Sequence, residues 1–123
     1  YDHIKYLGPI NQNELRVIMK NALMLIFPSV HEGFGIPCLE AMQLGVPLIA
    51  SKVSAIPEVV GNSGELIEKY MSPSVWAKAI IELCKNSERR KALGRKGKFR
   101  STEFSWDISA EKLINLYENL LEM

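Results

Sequence analysis

Aspartate is almost absent from this sequence of 123 residues, in which Asp2 and Asp107 are the two residues of that type. They stand far apart, so the chain has no Asp-x-Asp pair of the kind that holds a divalent metal on a phosphorylated substrate. The shortage also excludes a signalling receiver domain, which needs a phosphoacceptor aspartate at a strand end and an acidic pair nearby. We therefore expect no metal site.

Cysteine is scarce as well, with only Cys38 and Cys84 in the chain. Their separation matches no metal-ligand spacing, and two residues do not form a disulfide framework. The sequence predicts two reduced thiols in an intracellular protein.

Long apolar runs are missing too. The longest one, residues 22–27, is far short of the ~20 residues that span a bilayer. The N-terminus has no apolar signal segment, and it begins with Tyr1 instead of Met, so we expect a piece of a longer protein.

The net charge of +1 gives no general reason to expect nucleic acid or an anionic membrane as partner. We predict a cytoplasmic location, with peripheral attachment to the cytoplasmic membrane left open for the full-length protein.

The residues that are present suit a globular domain, with 47% hydrophobic and 24% charged residues. We expect residues 1–123 to form one domain, in which short apolar strands alternate with helices. Strands are predicted at residues 4–7, 23–27, 46–50 and 64–67, and helices at about 11–21, 37–44, 56–60, 73–83, 88–100 and from Ser105 onward. This alternation is typical of an α/β fold, a Rossmann-like parallel sheet with helices on both faces.

Several packing predictions follow from the apolar pattern. The continuous run at residues 23–27 predicts a strand buried on both faces. Trp76 and Trp106 are expected in the core, because each lies on an apolar helical face. The last helix is expected to bury a stripe formed by Ile108, Leu113, Ile114, Tyr117, Leu120 and Leu121. The first helix is expected to bury Leu15, Ile18 and Met19, and either Asn11 or Asn13 can cap it. The basic segment 88–100 is interpreted as a solvated helix face.

A glycine-rich turn joins the second predicted strand to the next helix. Because it follows a strand of a parallel sheet, it lies at the edge where such folds bind ligands. Gly33 and Gly35 allow the backbone to approach a ligand closely. Pro37 has no N–H, and the amides of Cys38, Leu39 and Glu40 are expected to be first-turn donors without helical partners. With the helix dipole they predict an anion site suited to a phosphate.

Two glutamates bracket these glycines at a spacing of eight residues. Glu40 lies one turn into the helix, where its carboxylate can accept two hydrogen bonds from a ribose diol. Glu32 precedes the turn and is expected to point at the same crevice. His31 has two interpretations, a proton carrier or a polar packing residue, and the second is favoured. For Glu58, contact with the ligand and a carboxylate at a helix N-terminus remain open.

The segment EGFGIPxxEAM at residues 32–42 closely resembles the signature of retaining glycosyltransferases of family 4, which have the two-domain GT-B fold. The resemblance extends to LGPI at residues 7–10, to residues 45–51 and 57–61, and to FSW at residues 104–106. It implies the C-terminal, donor-binding half of an enzyme that transfers a sugar from a nucleotide diphosphate sugar with retention of configuration. No cofactor is implied beyond the nucleotide sugar itself.

The resemblance also implies individual roles. Glu40 would bind the ribose, Glu32 would act as the catalytic-site carboxylate that holds a donor-sugar hydroxyl, and Ile10 would contact the base. Backbone amides from Phe34 to Ile36 and from the helix start would hold the sugar and the diphosphate. The implied substrate-binding residues are Ile10, Glu32, Gly33, Phe34, Gly35, Ile36, Cys38, Leu39 and Glu40.

Some family features have no counterpart in these residues. The basic pair that neutralises the diphosphate and the N-terminal acceptor-binding domain are both missing, so we expect the chain to be inactive alone. Ser54-Ala55 replaces a more glycine-rich turn. We also expect self-association through an uncovered sheet edge or apolar surface. The alternatives are a non-catalytic sugar-nucleotide-binding module, or a GT-B enzyme of another reaction such as an epimerase.

Overall fold

The computed structural model describes residues 2–123. Its elements are α1 (Gln12–Lys20), β1 (Leu25–Phe27), α2 (Ile36–Gln43), β2 (Leu48–Ser51), α3 (Ile56–Val60), β3 (Glu65–Ile67), α4 (Pro73–Lys85), α5 (Ser87–Ser101) and α6 (Trp106–Leu121). The three strands form one parallel sheet in the order β1-β2-β3. Leu25 pairs with Leu48, and Ile49 pairs with Glu65.

The central strand β2 separates two hydrophobic cores. Because side chains alternate along a strand, Leu48 and Ala50 point to one core and Ile49 to the other. The first core is formed with α1, α2 and α3, and the second with α4 and α5. Helices therefore cover both faces of the sheet, and the predicted fold class is confirmed.

Local capping explains where two helices begin. The Asn11 side chain accepts a hydrogen bond from the Glu14 amide (2.9 Å), and the Glu14 carboxylate accepts one from the Asn11 amide (3.0 Å). This reciprocal capping box selects Asn11 over Asn13 as the cap of α1. Ser105 caps α6 as predicted, since its hydroxyl accepts from the Ile108 amide at 3.1 Å.

Helix α5 packs closely against the end of α2 through two glycines. A Cβ on Gly94 would lie 2.3 Å from the carbonyl oxygen of Gly45, and a Cβ on Gly97 would lie 3.2 Å from Cγ of Met42. Gly45 has φ +71, as predicted for a residue that ends a helix. The prediction of a solvated basic face is confirmed in part, because most basic residues of α5 are exposed. Arg90 and Arg100 are half-buried instead, and they donate to backbone carbonyls.

The sheet differs from the prediction in two respects. Residues 4–7 form no strand, so the part of the chain that the structure describes has three strands where four were expected. The prediction that the run at 23–27 is buried on both faces is also wrong, because Ile26 of β1 is 40% exposed. β1 pairs only with β2 and is an edge strand, so continuous hydrophobicity did not indicate a central position.

The apolar stripe of α6 is the largest error in the predicted core. No residue of α6 is buried, and Trp106 at its start is 87% exposed. In α1, Leu15 and Met19 pack as expected, but Ile18 is exposed. Trp76 is buried as predicted, and its indole N–H donates to the Tyr70 carbonyl at 2.9 Å. Amphipathic spacing predicted the helix α6 correctly, but it did not show whether these residues have an element to pack against.

Candidate functional site

Two loops meet at the carboxyl edge of the sheet. The first joins β1 to α2, and we call its residues 29–35 the glycine loop. The second, residues 52–55, joins β2 to α3. Since β1 and β2 are parallel neighbours, both loops leave the sheet at the same edge, where open α/β sheets bind ligands.

Side-chain hydrogen bonds hold the glycine loop in place. The Ser29 hydroxyl lies 2.9 Å from Glu32 Oε1 and 3.0 Å from the His31 carbonyl oxygen, so its proton is shared between two acceptors. His31 Nδ1 lies 3.0 Å from the hydroxyl of Ser54 in the second loop. Ser54 has φ +49, a left-handed conformation that is uncommon for a residue with a side chain. The contact joins the two loops, and both interpretations of the exposed His31 stay predictions.

The start of α2 presents backbone donors. Gly35 is the N-cap with φ +91, a conformation that favours glycine. Among the residues that the structure describes, none accepts a hydrogen bond from the amides of Phe34, Gly35 or Ile36. The positive end of the α2 dipole lies at the same point.

The predicted set of free amides needs a correction. Cys38, Leu39 and Glu40 were expected to have free amides, but the first two donate to the Gly35 carbonyl, at 3.0 and 3.3 Å. Glu40 is the fifth residue of α2, so the Ile36 carbonyl is the regular helical acceptor of its amide. The helix begins at Ile36, one residue earlier than predicted, and this shift gives the amides of Cys38 and Leu39 an acceptor. The donors available to a ligand are therefore those of the turn itself.

Within the described residues, neither steric crowding nor backbone conformation requires glycine at position 33. A Cβ at this position would have no atom within 4 Å, and its φ is not in the left-handed region. The space that a side chain would fill is open and adjoins the free amides. An open glycine beside unpaired donors is the arrangement that allows a ligand to approach the backbone closely.

Glu32 is half-buried, and its carboxylate lies close enough to Cys38 to affect the pKa of that thiol. Burial, together with the negative charge of Glu32 as a smaller cause, raises the pKa of the Cys38 thiol to about 12. Cys38 is fully buried and stays protonated at neutral pH. Its side chain is therefore a packing group and not a nucleophile.

Glu40 lies on α2, outside the glycine loop that contains Glu32. It is half-buried and lines a cavity of about 180 Å³ between α1 and α2. The other lining residues are Gln12, Asn13, Leu15, Arg16, Met19, Gln43 and Leu44. The wall thus combines polar groups with apolar side chains. Ile10 is half-buried in the coil before α1, two residues from the cavity wall at Gln12.

Comparison with known families decides which kind of chain this is. The family model described as "Glycosyl transferases group 1" matches residues 1–100. This chain belongs to that family. Its residues 101–123, which include Phe104 and all of α6, lie outside the match.

Curated relatives of this group 1 chain carry glycosyltransferase names. It is 36% identical over 117 residues to O-antigen chain mannosyltransferase B from Escherichia coli, which covers 95% of the chain and 30% of the relative. It is 31% identical over 120 residues to D-inositol 3-phosphate glycosyltransferase from Corynebacterium kroppenstedtii, covering 96% of the chain and 26% of the relative. The chain thus spans about a third or less of the length of these relatives.

A solved structure supports the same assignment of the fold. Sucrose-phosphate synthase from Thermosynechococcus elongatus superposes with a TM-score of 0.88 and 29% identity, over 98% of this chain and 31% of that one. The fold of the group 1 chain is therefore that of a GT-B domain. No helix within residues 2–123 is both long and apolar enough to cross a bilayer.

Sequence reasoning missed several residues around the glycine loop of this group 1 chain. Ser29 and Ser54 hydrogen-bond within and across the two loops, and Phe104 packs its ring on Phe34. Ser54 had been noted only as a departure from a glycine-rich turn. Phe104 comes 70 positions after its partner in the chain, and no local pattern indicates a contact over that distance.

Proposed function

We propose that this chain is the C-terminal donor-binding domain of a retaining family 4 glycosyltransferase, which uses a nucleotide diphosphate sugar without a metal ion. Two observations together carry the proposal. The amides of Phe34–Ile36 at the start of α2 have no acceptor, and the half-buried Glu40 of the same helix lines a cavity. A phosphate group and a ribose diol are the complementary ligands for these two features.

Each part of the donor has a candidate contact. The diphosphate lies against the amides of the glycine loop, where the dipole of α2 favours negative charge. Glu40 accepts hydrogen bonds from the ribose hydroxyls, and Ile10 contacts the base. Glu32, held by Ser29, accepts a hydrogen bond from the donor sugar. When the bond to the sugar breaks, the same fixed amides stabilise the charge that develops on the leaving diphosphate.

The remaining parts of the reaction are proposed to come from outside these residues. The relatives are about three times longer or more, which supports an acceptor-binding domain and a basic pair beyond residues 1–123. One name specifies a mannosyl group and an O-antigen chain, and the other specifies D-inositol 3-phosphate without naming the transferred sugar, so neither sugar nor acceptor is assigned to this chain. We propose that the chain by itself binds donor weakly and does not transfer sugar.

The test is a titration of the chain with UDP, GDP, ADP and their sugar conjugates, followed by amide chemical shifts. We expect one nucleotide to shift the signals of Gly33 to Glu40 in a saturable way. Glu40→Gln should weaken that binding by roughly 10- to 100-fold, the effect of losing charged hydrogen bonds. Glu111→Gln, at an exposed position of α6, is the matched control and should bind normally.

Glu32→Gln separates the two glutamate roles. It should weaken binding of the sugar conjugate and leave the free nucleotide unaffected, because Glu32 is assigned to the sugar alone. If no nucleotide shifts the glycine loop at millimolar concentration, the proposed donor site is wrong. A sugar conjugate that binds to the longer protein with no transfer to any acceptor would favour a non-catalytic binding module.

A further inference from the structure

The glycine loop has one large apolar side chain, Phe34, placed between Gly33 and Gly35. Two glycines give the backbone more conformations than other residues would, so a loop of this composition needs an anchor to keep its amides in one orientation. The Phe34 ring packs edge-to-face on the ring of Phe104, with centroids 5.8 Å apart and an interplanar angle of 84°. Phe104 lies in the turn between α5 and α6.

Phe104 is in turn held by Arg100. The Arg100 guanidinium carbon lies 5.6 Å from the centroid of the Phe104 ring, within the range of a cation–π contact. One end of α5 thus supports the ring that supports the glycine loop.

Arg100 itself is fixed by several partners. Its Nε donates to the Val59 carbonyl at 2.7 Å, and its Nη2 donates to the Glu58 carbonyl. Glu103 lies 3.5 Å from Nη1. These carbonyls belong to α3, so Arg100 joins α5 to α3 through the backbone of α3.

Gly61, which follows α3, leaves the space that the Arg100 side chain occupies. A Cβ at Gly61 would lie 2.9 Å from Nε and 3.0 Å from Cζ of Arg100. The guanidinium is only partly exposed, with 28% of the side chain accessible. Because its donors are directed at protein acceptors, Arg100 is not a free cation for a diphosphate.

We infer that Arg100 and Phe104 are positioning residues of the glycine loop. They act through Phe34 and hold the amides of Phe34, Gly35 and Ile36 in the orientation that an anionic ligand requires, without touching the ligand themselves. Phe104 lies outside the residues matched by the family model. The contacts of Arg100 described above are all with other residues of this chain. The role in ligand binding rests on the proposed function, whereas the effect on loop conformation does not.

The first measurement uses the free chain. Phe104→Leu should change the ring and amide shifts of Phe34 and the amide shifts of Gly33 and Gly35, because the ring current and the edge-to-face contact are both lost. It should also speed hydrogen exchange in the glycine loop. Phe104→Tyr keeps the ring and should restore the wild-type signals. Phe99→Leu is the matched control, since Phe99 on α5 is 78% exposed.

The second measurement is nucleotide affinity in the same variants. An edge-to-face aromatic pair corresponds to a factor of about 2 to 10 in an equilibrium constant. Phe104→Leu should therefore weaken nucleotide binding by up to about tenfold, while Phe104→Tyr and Phe99→Leu bind like wild type. Arg100→Lys keeps the charge but loses the planar fork, and it should shift the same loop signals to a smaller extent.

The outcomes separate the two proposals. If the loop signals and exchange rates of folded Phe104→Leu match those of wild type, the positioning role is overturned. If Phe104→Leu does not fold, Phe34→Leu removes the other ring, which is 37% exposed, and the same loop changes are expected. If the loop changes as described but wild type binds no nucleotide, the positioning inference stands and the proposed donor site fails.

Discussion

Gly94 is the position where a single added methyl group should be most harmful. A Cβ there would lie 2.3 Å from the carbonyl oxygen of Gly45 and 3.2 Å from its carbonyl carbon. Gly45 has little freedom to move away, because it sits in a left-handed conformation and its amide donates to the Met42 carbonyl at 3.0 Å. Gly94→Ala must therefore push α5 away from the end of α2.

Two opposing effects determine the magnitude. Alanine is favoured over glycine inside a helix by about 1 kcal/mol, which alone would stabilise the variant. Overpacking costs about 1–3 kcal/mol or more, and a shift of α5 also exposes part of Leu93, which is now 8% exposed. Burial of such a side chain is worth about 1.5–3 kcal/mol. We expect a net loss of about 1–3 kcal/mol in the free energy of unfolding.

Urea unfolding followed by circular dichroism measures this loss, and the melting temperature should fall by roughly 4 °C per kcal/mol for a chain of this size. Gly97→Ala should lose less, because it meets Met42 at 3.2 Å and part of that contact is with a flexible side chain. Lys96→Ala, at an exposed position of the same helix, is the control and should be near neutral. A Gly94→Ala variant more stable than wild type would refute the reasoning, since helix propensity alone predicts that sign.

Three further predictions concern a thiol, a helix cap and two tryptophans. Burial keeps the pKa of Cys38 at about 12, so a thiol reagent at pH 8 should modify one thiol per native chain and none in Cys84→Ser. Because the unfolded thiol ionises near pH 9 and the folded one does not, the free energy of unfolding should fall between pH 9 and 12 by up to about 1.4 kcal/mol per pH unit, a slope absent from Cys38→Ala. Asn11→Ala should destabilise the chain by about 0.5–2 kcal/mol in urea unfolding, because the capping box is lost. Asn13→Ala should be nearly neutral. Equal losses in the two variants would mean that Asn11 is not the cap. Trp106, 87% exposed, should be quenched by acrylamide in the native chain and Trp76, 8% exposed, should be protected; Trp106→Phe should remove the quenchable signal, and strong quenching of the remaining tryptophan would contradict the packing.

Most of the secondary structure could be read from local signals. Asn11 with Glu14, Ser105, and Gly45 after α2 each mark a helix boundary by a contact made within four residues. The fold class followed from the alternation of strands and helices. The strand predicted at residues 4–7 did not form. A mostly apolar segment of four residues does not show whether a neighbouring strand is available to pair with it.

The glycine loop and the two glutamates on either side of its glycines were also evident from the sequence. The sequence predicted that Glu32 and Glu40 point at one crevice, but Glu40 lies on α2 in a cavity whose lining does not include Glu32. Their roles in binding remain predictions. The free amides were placed slightly wrongly, because the helix began one residue earlier than expected and supplied acceptors for Cys38 and Leu39.

The sequence by itself determined the helices, the parallel α/β class and the glycine loop, because capping, periodicity and glycine conformation act over a few neighbouring residues. Only the tertiary structure decided that α6 and Trp106 face outward, that β1 is an edge strand, and that Arg100 and Phe104 support Phe34. These features depend on which elements meet across tens of residues. Packing and strand order determine these long-range contacts, and the pattern of hydrophobic residues along the chain does not predict them.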